Sequence, residues 1–249
     1  MLLAVISMNG QNTTVTRQPS TKPATTIPKA EKSIQKGSGS QTKTPHKTSR
    51  TQQTKQSTSI CTDNNHPHAI DLGLPSCTKW ACCNVGAVKP EASGGYFAWG
   101  ETKTKSTFDW EKYTHCDGTG KTCHDLGSSI SGTEHDVAHV KWNGSWQMPT
   151  SEQFKELTEN CNYEWTTVNG VKGGKFTSKK NGQSIFLPAA GRRVFAVFNY
   201  VSRDGCYWSG SQHPSHAYGA SNLGFYSDGV KWNDYDNRAY GLTVRPVTK

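Results

Sequence analysis

The side chains best suited to recognise a ligand lie between residues 209 and 240. In this stretch, apolar residues such as Leu223 and Phe225 alternate with small polar and aromatic residues. Tyrosine offers a rigid amphipathic surface, and Ser, Asn and Asp offer adaptable hydrogen bonds, a combination typical of antibody paratopes. The predicted ligand-binding residues are Ser211, Gln212, His213, His216, Tyr218, Asn222, Tyr226, Asp228, Asn233, Asp234, Tyr235, Asn237, Arg238 and Tyr240. We expect an outward-facing loop surface anchored by the tyrosines, and an ordinary Gly-, Asn- and Tyr-rich loop surface is the alternative.

One tripeptide in this stretch has the residue types of a calcium site. Trp232-Asn233-Asp234 is similar to the Trp-Asn-Asp of calcium-dependent sugar-binding lectins, where the Asn and Asp oxygens ligate the ion. Those lectins carry a second motif upstream, and here Gln212-His213-Pro214-Ser215 has a histidine in the wrong position and no second acid. We therefore predict a surface loop and retain a calcium-dependent carbohydrate lectin as the alternative.

Two histidines have the i, i+4 spacing that can hold a metal on a helix. They are His135 and His139, and no HExxH glutamate lies between them. Glycines and polar residues upstream disfavour a stable helix here. Both histidines are interpreted as structural, so the sequence predicts no metal site and no cofactor.

No set of residues predicts catalysis. No GxSxG elbow is present. A glycosidase needs two facing carboxylates, and the only candidate pairs are Glu101 with Asp109 and Asp234 with Asp236, none of which is marked as buried. The chain is predicted not to be an enzyme.

Composition divides the chain near residue 60. Residues 12–60 contain no Phe, Trp, Tyr or Cys and carry nine basic residues against one acid. Such a stretch cannot bury enough apolar surface to fold, which predicts a disordered linker. Residues 61–249 hold all the aromatic residues and cysteines, with 19 basic and 18 acidic side chains, and form the predicted domain. Most of the net charge of +9 therefore belongs to the linker, and the nearly neutral domain disfavours nucleic-acid binding.

The N-terminus and the cysteines favour a secreted or surface-displayed protein. Residues 1–11 form an apolar segment like the end of a secretory signal, too short to span a bilayer, so no membrane insertion is predicted. Eight cysteines in one domain suit an oxidising compartment. We predict a local disulfide between Cys116 and Cys123 and a second between Cys83 and Cys161, with the remaining connectivity open.

The chain reads as an α+β domain with short antiparallel strands and long loops. A helix near 150–161 is predicted from the hydroxyl N-cap Thr150, the capping-box residue Gln153, and apolar residues on one face. Short strands punctuated by Gly, Asn and Asp are predicted at 69–74, 79–85, 174–177, 184–188, 205–209, 223–226, 230–232 and 242–246.

Several motifs resemble the Fibrobacter succinogenes major paralogous domain family of the C-type-lectin-like superfamily. They are IDLGLPS at 70–76, CNVGA at 83–87, GGYFAWGE at 94–101, GSWQMPT at 144–150, IFLPAAG at 185–191, YWS at 207–209 and VRPV at 244–247. The resemblance covers about residues 69–249 and implies a C-type-lectin-like fold in which the first and last strands pair. That family usually has Gly at the position of Cys77, so an extra disulfide from Cys77 to Cys82 or Cys206 is expected.

The resemblance extends to two related groups. Residues 209–240 are similar to the variable regions of retroelement-diversified lectin-like proteins, which implies a receptor whose loops vary. The helix entry at 148–155 is similar to that of formylglycine-generating enzymes, which use a reactive cysteine pair, whereas only Cys206 lies near that region here. The favoured interpretation is a bacterial, non-enzymatic module that binds an unidentified protein or glycan. The alternatives are the calcium lectin, an oxidase of the formylglycine type, and a structural surface protein.

Overall fold

The computed structural model describes residues 66–249. The predicted segments 1–11 and 12–60 lie outside the described residues. The helices are α1 (Val137–Trp142) and α2 (Ser151–Asn160), and the strands are β1 (Ala69–Asp71), β2 (Lys79–Ala81), β3 (Cys161–Val168), β4 (Val171–Ser178), β5 (Ser184–Pro188), β6 (Arg192–Val194), β7 (Val197–Asn199), β8 (Gly205–Gln212), β9 (Gly219–Tyr226), β10 (Gly229–Asn237) and β11 (Val247–Thr248). All pairs between these strands are antiparallel, which confirms the α+β, antiparallel prediction. Neither helix has the length and apolar character needed to span a bilayer.

The helix predicted near 150–161 is α2, and local chemistry sets its start. The Thr150 hydroxyl accepts from the Gln153 backbone N–H, and the Gln153 side chain accepts from the Thr150 N–H, so the capping box is complete. Phe154 and Leu157 are buried on its inner face. The helix ends at Asn160, and Cys161 begins the neighbouring strand β3.

Two three-stranded sheets form the body of the domain. One has the order β3-β4-β5 and the other β10-β9-β8. The strand predicted at 184–188 is β5, and the strands predicted at 174–177, 205–209, 223–226 and 230–232 lie within β4, β8, β9 and β10. The strand predicted at 242–246 is wrong, because that segment forms isolated bridges, such as Phe97 to Leu242, and no continuous strand pairing. The sequence did not predict α1, β3 or the hairpin β6–β7.

The two ends of the domain meet in a third sheet of order β1-β2-β11. Both outer strands pair with the central one: Ile70 with Trp80, and Val247 with Trp80. The expectation that the first and last strands pair with each other is therefore wrong, because β2 lies between them. The lectin-like fold class itself remains a prediction.

The sheet β8–β10 separates the two main apolar clusters. Successive side chains of a strand point to opposite faces. Tyr207 therefore packs with Phe154 and Phe225 in one cluster, and Trp208 packs with Phe97 and Trp99 in the other. Both faces of β8 are therefore covered by apolar side chains.

The predicted disulfides have different outcomes. Cys116 and Cys123 are bonded. The Cys83–Cys161 bond is wrong, because Cys161 is a free thiol at the start of β3 within the apolar cluster of Phe154, while the Cys83 sulfur lies within 4.8 Å of ligand atoms of His66 and Cys82. Burial raises the pKa of the Cys161 thiol to about 11.

The extra disulfide expected at Cys77 is also wrong. Cys77 is an exposed free thiol, and Cys206 is a buried free thiol. Cys77 adopts φ 60° in the turn between β1 and β2. Glycine adopts this left-handed conformation more readily than cysteine does, so Cys77 occupies a backbone position that suits glycine.

A buried guanidinium joins the C-terminal segment to the rest of the domain. Arg245 is 0% exposed, and all five of its N–H donors are engaged. Its Nε donates to Asn84 Oδ1 at 2.7 Å, and its two Nη atoms donate to the carbonyl oxygens of Ala81, Cys82, Pro90 and Phe186. One side chain thus binds the end of β2, the segment after it, and β5.

We predict that Arg245→Lys destabilises the protein by at least about 2 kcal/mol. An ammonium has three donors, so at least two of these five acceptors lose their partner, and each buried unsatisfied acceptor costs about 1–3 kcal/mol. Urea denaturation measures the change. The control is Arg203→Lys, whose side chain is 68% exposed and pairs with the adjacent Asp204; we expect a change below about 0.5 kcal/mol there. Equal effects of the two substitutions would contradict the role of Arg245.

Candidate functional site

The predicted ligand-binding residues lie mostly on strands. They follow the antiparallel meander β8-β9-β10, and those outside the strands lie in the turns at 213–218 and 227–228 or, like Arg238 and Tyr240, after the end of β10. The two turns are at opposite ends of β9, whose eight residues extend over roughly 23 Å at about 3.3 Å per residue. The expectation of one continuous loop surface is therefore wrong, and the predicted residues divide into separate groups.

The first group is an aromatic cluster at the 213–218 turn, which we call the His–Tyr platform: His213, His216, Tyr218 and Tyr235. The rings of His216 and Tyr235 are stacked, with centroids 4.9 Å apart and planes at 6°. His213 packs 4.4 Å from Tyr235, and Tyr218 contacts His216 edge-on at 5.3 Å. Tyr218 is 39% exposed and Tyr235 is 41% exposed. The platform presents aromatic surface to solvent, as predicted for these residues.

Arg238 is buried and binds the backbone of the turn that carries the platform. It is 1% exposed, so the prediction that it contacts a ligand is wrong. Its guanidinium lies 4.5 Å from the centroid of the Trp99 ring, and it donates to the carbonyl oxygens of Ala217 and His124 and to the Tyr113 hydroxyl. Arg238 therefore fixes the turn at 213–218 against the loop that precedes α1.

The second group is a polar network inside the sheet. Asn222 is 1% exposed and donates to Asp236 Oδ2, which makes its predicted contact with a ligand wrong. Asp236 also binds Arg192. Burial raises the pKa of the Asp236 carboxyl to about 6, and the Arg192 charge opposes this rise. Asp234, which is half-buried, accepts from the Tyr226 hydroxyl at 3.1 Å.

The remaining predicted residues are scattered. Asp228 is exposed in the β9–β10 turn, and Asn233 is exposed where the β9–β10 register shifts. Tyr240 is half-buried against the Trp208 cluster. The other predicted residues are half-buried near the platform and comprise Ser211, Gln212 and Asn237.

The acidic oxygens of this region have internal partners. Trp232 packs against the Phe225 cluster, and the carboxylates of Asp234 and Asp236 accept hydrogen bonds from Tyr226, Asn222 and Arg192. Neither carboxylate presents a free pair of oxygens to a calcium ion or to a glycosidic bond.

The structure adds a surface that the sequence did not predict. The hairpin β6–β7 and the turn after it expose Phe195, Val197, Phe198, Tyr200 and Val201, which we call the hairpin patch. Of the nine large apolar or aromatic side chains exposed among residues 66–249, these five fall within seven positions of the chain, and Phe195 is 62% exposed. The signal in the sequence was the nearly unbroken apolar run at 194–201, which was not predicted to be a strand or a part of the core.

Backbone contacts fix the hairpin in place. Arg193 exchanges two backbone hydrogen bonds with Gly241, and Phe195 exchanges two with Phe108. The Arg193 guanidinium lies 4.7 Å from the centroid of the Phe198 ring and donates to the carbonyl oxygens of Lys105 and Ser106. The exposed side chains are therefore displayed on a supported frame.

The hairpin patch adopts a strained backbone and adjoins the polar network. Phe195 and Tyr200 have φ of 53° and 63°, and this conformation is unfavourable for bulky residues and concentrates at functional sites. Arg192, which binds Asp236, also lies over the rings of Tyr200 and Tyr240.

The histidines of the 134–139 segment do not form a helical pair. Asp136 is the N-cap of α1, so His135 precedes the helix and His139 lies inside it. The i, i+4 metal arrangement is therefore absent at these two residues. Within residues 66–249, the side chains close enough to share an ion are His66, Cys82 and Cys83, whose ligand atoms lie within 4.8 Å. Nitrogen and sulfur donors of this kind suit zinc, and the sequence did not predict the group because it has no CxxC spacing.

Cys206 lies in an environment that disfavours a thiolate. It is 8% exposed in β8. Burial, and then the nearby Asp236, raise the pKa of the Cys206 thiol to about 12. Reactive cysteines have lowered pKa values, so this residue lacks the property that the oxidase alternative requires.

Comparison of the chain with protein-family models, curated proteins and solved structures gives no match. Functional inference therefore depends on the residues described above.

We predict that His213 titrates below its ordinary pKa of 6.5. Burial, and then the charge of His216, lower the pKa of His213, and the two Nδ1 atoms are 2.9 Å apart. The folded state therefore favours neutral His213, and its contribution to stability is complete above pH 6.5 and is lost as the pH falls through the lowered pKa. NMR titration of the imidazole protons measures the midpoint.

The matched variant for this titration is His216→Gln. Removing the neighbouring charge should move the midpoint of His213 upward, toward 6.5. A midpoint at or above 6.5 in the unmodified protein, or one that the substitution leaves unchanged, would contradict the prediction.

Proposed function

We propose that the domain is a lectin-like, non-enzymatic binding module, secreted or displayed on a bacterial surface, whose hairpin patch binds a protein partner. The lectin-like assignment is supported by the motifs between residues 70 and 247, which follow one another in the order typical of the family that they resemble. The observation that carries the binding function is the concentration of five exposed apolar and aromatic side chains in residues 195–201. Contiguous exposed apolar surface marks interaction sites in soluble proteins.

The composition of the hairpin patch supports a protein as the partner. Aromatic side chains and arginine are enriched in the energetically dominant part of protein interfaces. Phe195, Phe198 and Tyr200 supply the aromatic surface, and Arg193 lies against the Phe198 ring. Since the hairpin is fixed by backbone hydrogen bonds to Gly241 and Phe108, little ordering entropy opposes binding.

A glycan is the second candidate ligand, and the His–Tyr platform favours it. Tyr218 and Tyr235 expose aromatic surface supported by the two histidines. Calcium-dependent recognition is disfavoured because Asp234 and Asp236 already accept internal hydrogen bonds. Binding by either surface should therefore withstand chelation of calcium.

The test is a protein and glycan array probed with the full chain and with Phe195→Ser/Phe198→Ser. We expect protein ligands whose affinity falls at least about 30-fold in this variant, because two interface anchors contribute at least about 2 kcal/mol together. Tyr218→Ala/Tyr235→Ala should leave these protein ligands bound and should abolish any glycan binding at the platform.

The matched control is Val88→Ser/Val140→Ser, which removes two exposed apolar side chains outside the hairpin patch. It should bind like the unmodified chain, and circular dichroism should show equal folding of all variants. Protein ligands that bind the Phe195→Ser/Phe198→Ser variant at full affinity, or an array without any ligand, would refute the proposed function. The latter result would favour a structural surface protein.

A further inference from the structure

A cavity of about 370 Å³ lies on the outer face of the sheet β3-β4-β5, away from the hairpin patch and the His–Tyr platform. Glu164, Thr166 and Val168 of β3 line it. They alternate along the strand and therefore share one face, while Tyr163 and Trp165 pack against the apolar cluster on the opposite face. The volume lies in the range of pockets for small molecules, about 300–1,000 Å³.

Three chemically different side chains form a row across the floor of this cavity. The strand register places Glu164 opposite Lys175, and Lys175 opposite Phe186. All three line the cavity. Neighbouring strands are about 4.8 Å apart, so an acid, a base and an aromatic ring follow one another at that spacing.

The two charged side chains of the row have no partner in the described part of the chain. Neither the Glu164 carboxylate nor the Lys175 ammonium makes a hydrogen bond or an ion pair within residues 66–249. Lys175 is half-buried, and Glu164 is exposed at the rim of the cavity. Charges of opposite sign that line one cavity, each without a partner, are complementary to a ligand that carries both charges.

Apolar groups complete the cavity beside this row. Ile70 of β1 and Pro90 also line the cavity. The Phe186 ring is seated on Gly173, where a Cβ atom would lie 2.6 Å from it. The hydrogen bond from Asn169 to Glu91 links the β3–β4 turn to the loop after β2 at the rim.

We infer that this cavity binds a free α-amino acid with an apolar side chain. The ammonium group pairs with Glu164, the carboxylate pairs with Lys175, and the side chain packs on Phe186. In such a molecule the three groups radiate from one carbon, which matches the close spacing of the row. This site is separate from the proposed protein-binding surface and goes beyond that function.

The test is isothermal titration calorimetry of the full chain with L-phenylalanine and L-leucine. We expect saturable one-to-one binding that weakens at least tenfold in Glu164→Gln and in Lys175→Gln. N-acetyl-L-phenylalanine lacks the ammonium, so it should bind weakly and be insensitive to Glu164→Gln. L-phenylalaninamide lacks the carboxylate, so it should bind weakly and be insensitive to Lys175→Gln.

Matched controls are Glu159→Gln and Lys172→Gln, exposed residues outside the cavity, and both should bind within twofold of the unmodified chain. The variant Phe195→Ser/Phe198→Ser should also bind L-phenylalanine normally, so failure of the proposed function leaves this site testable. The inference is overturned by an absence of saturable binding up to about 10 mM, or by binding that both cavity substitutions leave unchanged.

Discussion

Two buried arginines near the C-terminus connect the irregular backbone segments of the domain. Arg245 and Arg238 are each about 1% exposed or less, and both donate mainly to backbone carbonyl oxygens of distant segments. A buried carbonyl without a donor is costly, and irregular segments have no ladder of their own to supply donors. The planar guanidinium provides five donors in a fixed arrangement. One arginine side chain can therefore bind the unpaired carbonyl oxygens of several turns.

The need to supply donors to buried carbonyl oxygens explains how the long segment between β2 and α1 becomes part of the core without regular strands. Phe97, Trp99 and Phe108 are each at most 2% exposed, although this segment contributes only isolated bridges to the pairing of strands. The Trp99 indole donates to Ser209, and the Tyr113 hydroxyl donates to the Trp99 carbonyl while accepting from Arg238. Hydrogen bonds from the single polar atom of an aromatic side chain thus connect the loops, where strand pairing would do so in a sheet.

The sequence predicted best where the determining interactions are local. The start of α2 followed from Thr150 and Gln153 because both halves of the capping box lie within four residues, and the Cys116–Cys123 bond closes a short loop. The pairing of β11 with β2 and the burial of Asn222 and Arg238 depend on partners far along the chain. Asparagine and arginine are residue types usually found at the surface, so the sequence predicted Asn222 and Arg238 to be exposed. Their hydrogen bonds within the domain explain why both are buried. The hairpin patch was missed for the converse reason, since its apolar residues resemble core residues until the frame around them is known.

The arrangement of the hairpin has a consequence for how the protein can change over generations. Its hydrogen bonds to Gly241 and Phe108 are made by the backbone, and the side chains that it exposes belong to neither main apolar cluster. Apart from Phe198, whose ring contacts the buried Tyr96, substitutions at these positions therefore alter the outer surface while leaving the interior intact. Such a separation lets the exposed side chains of the hairpin change with little effect on the stability of the fold.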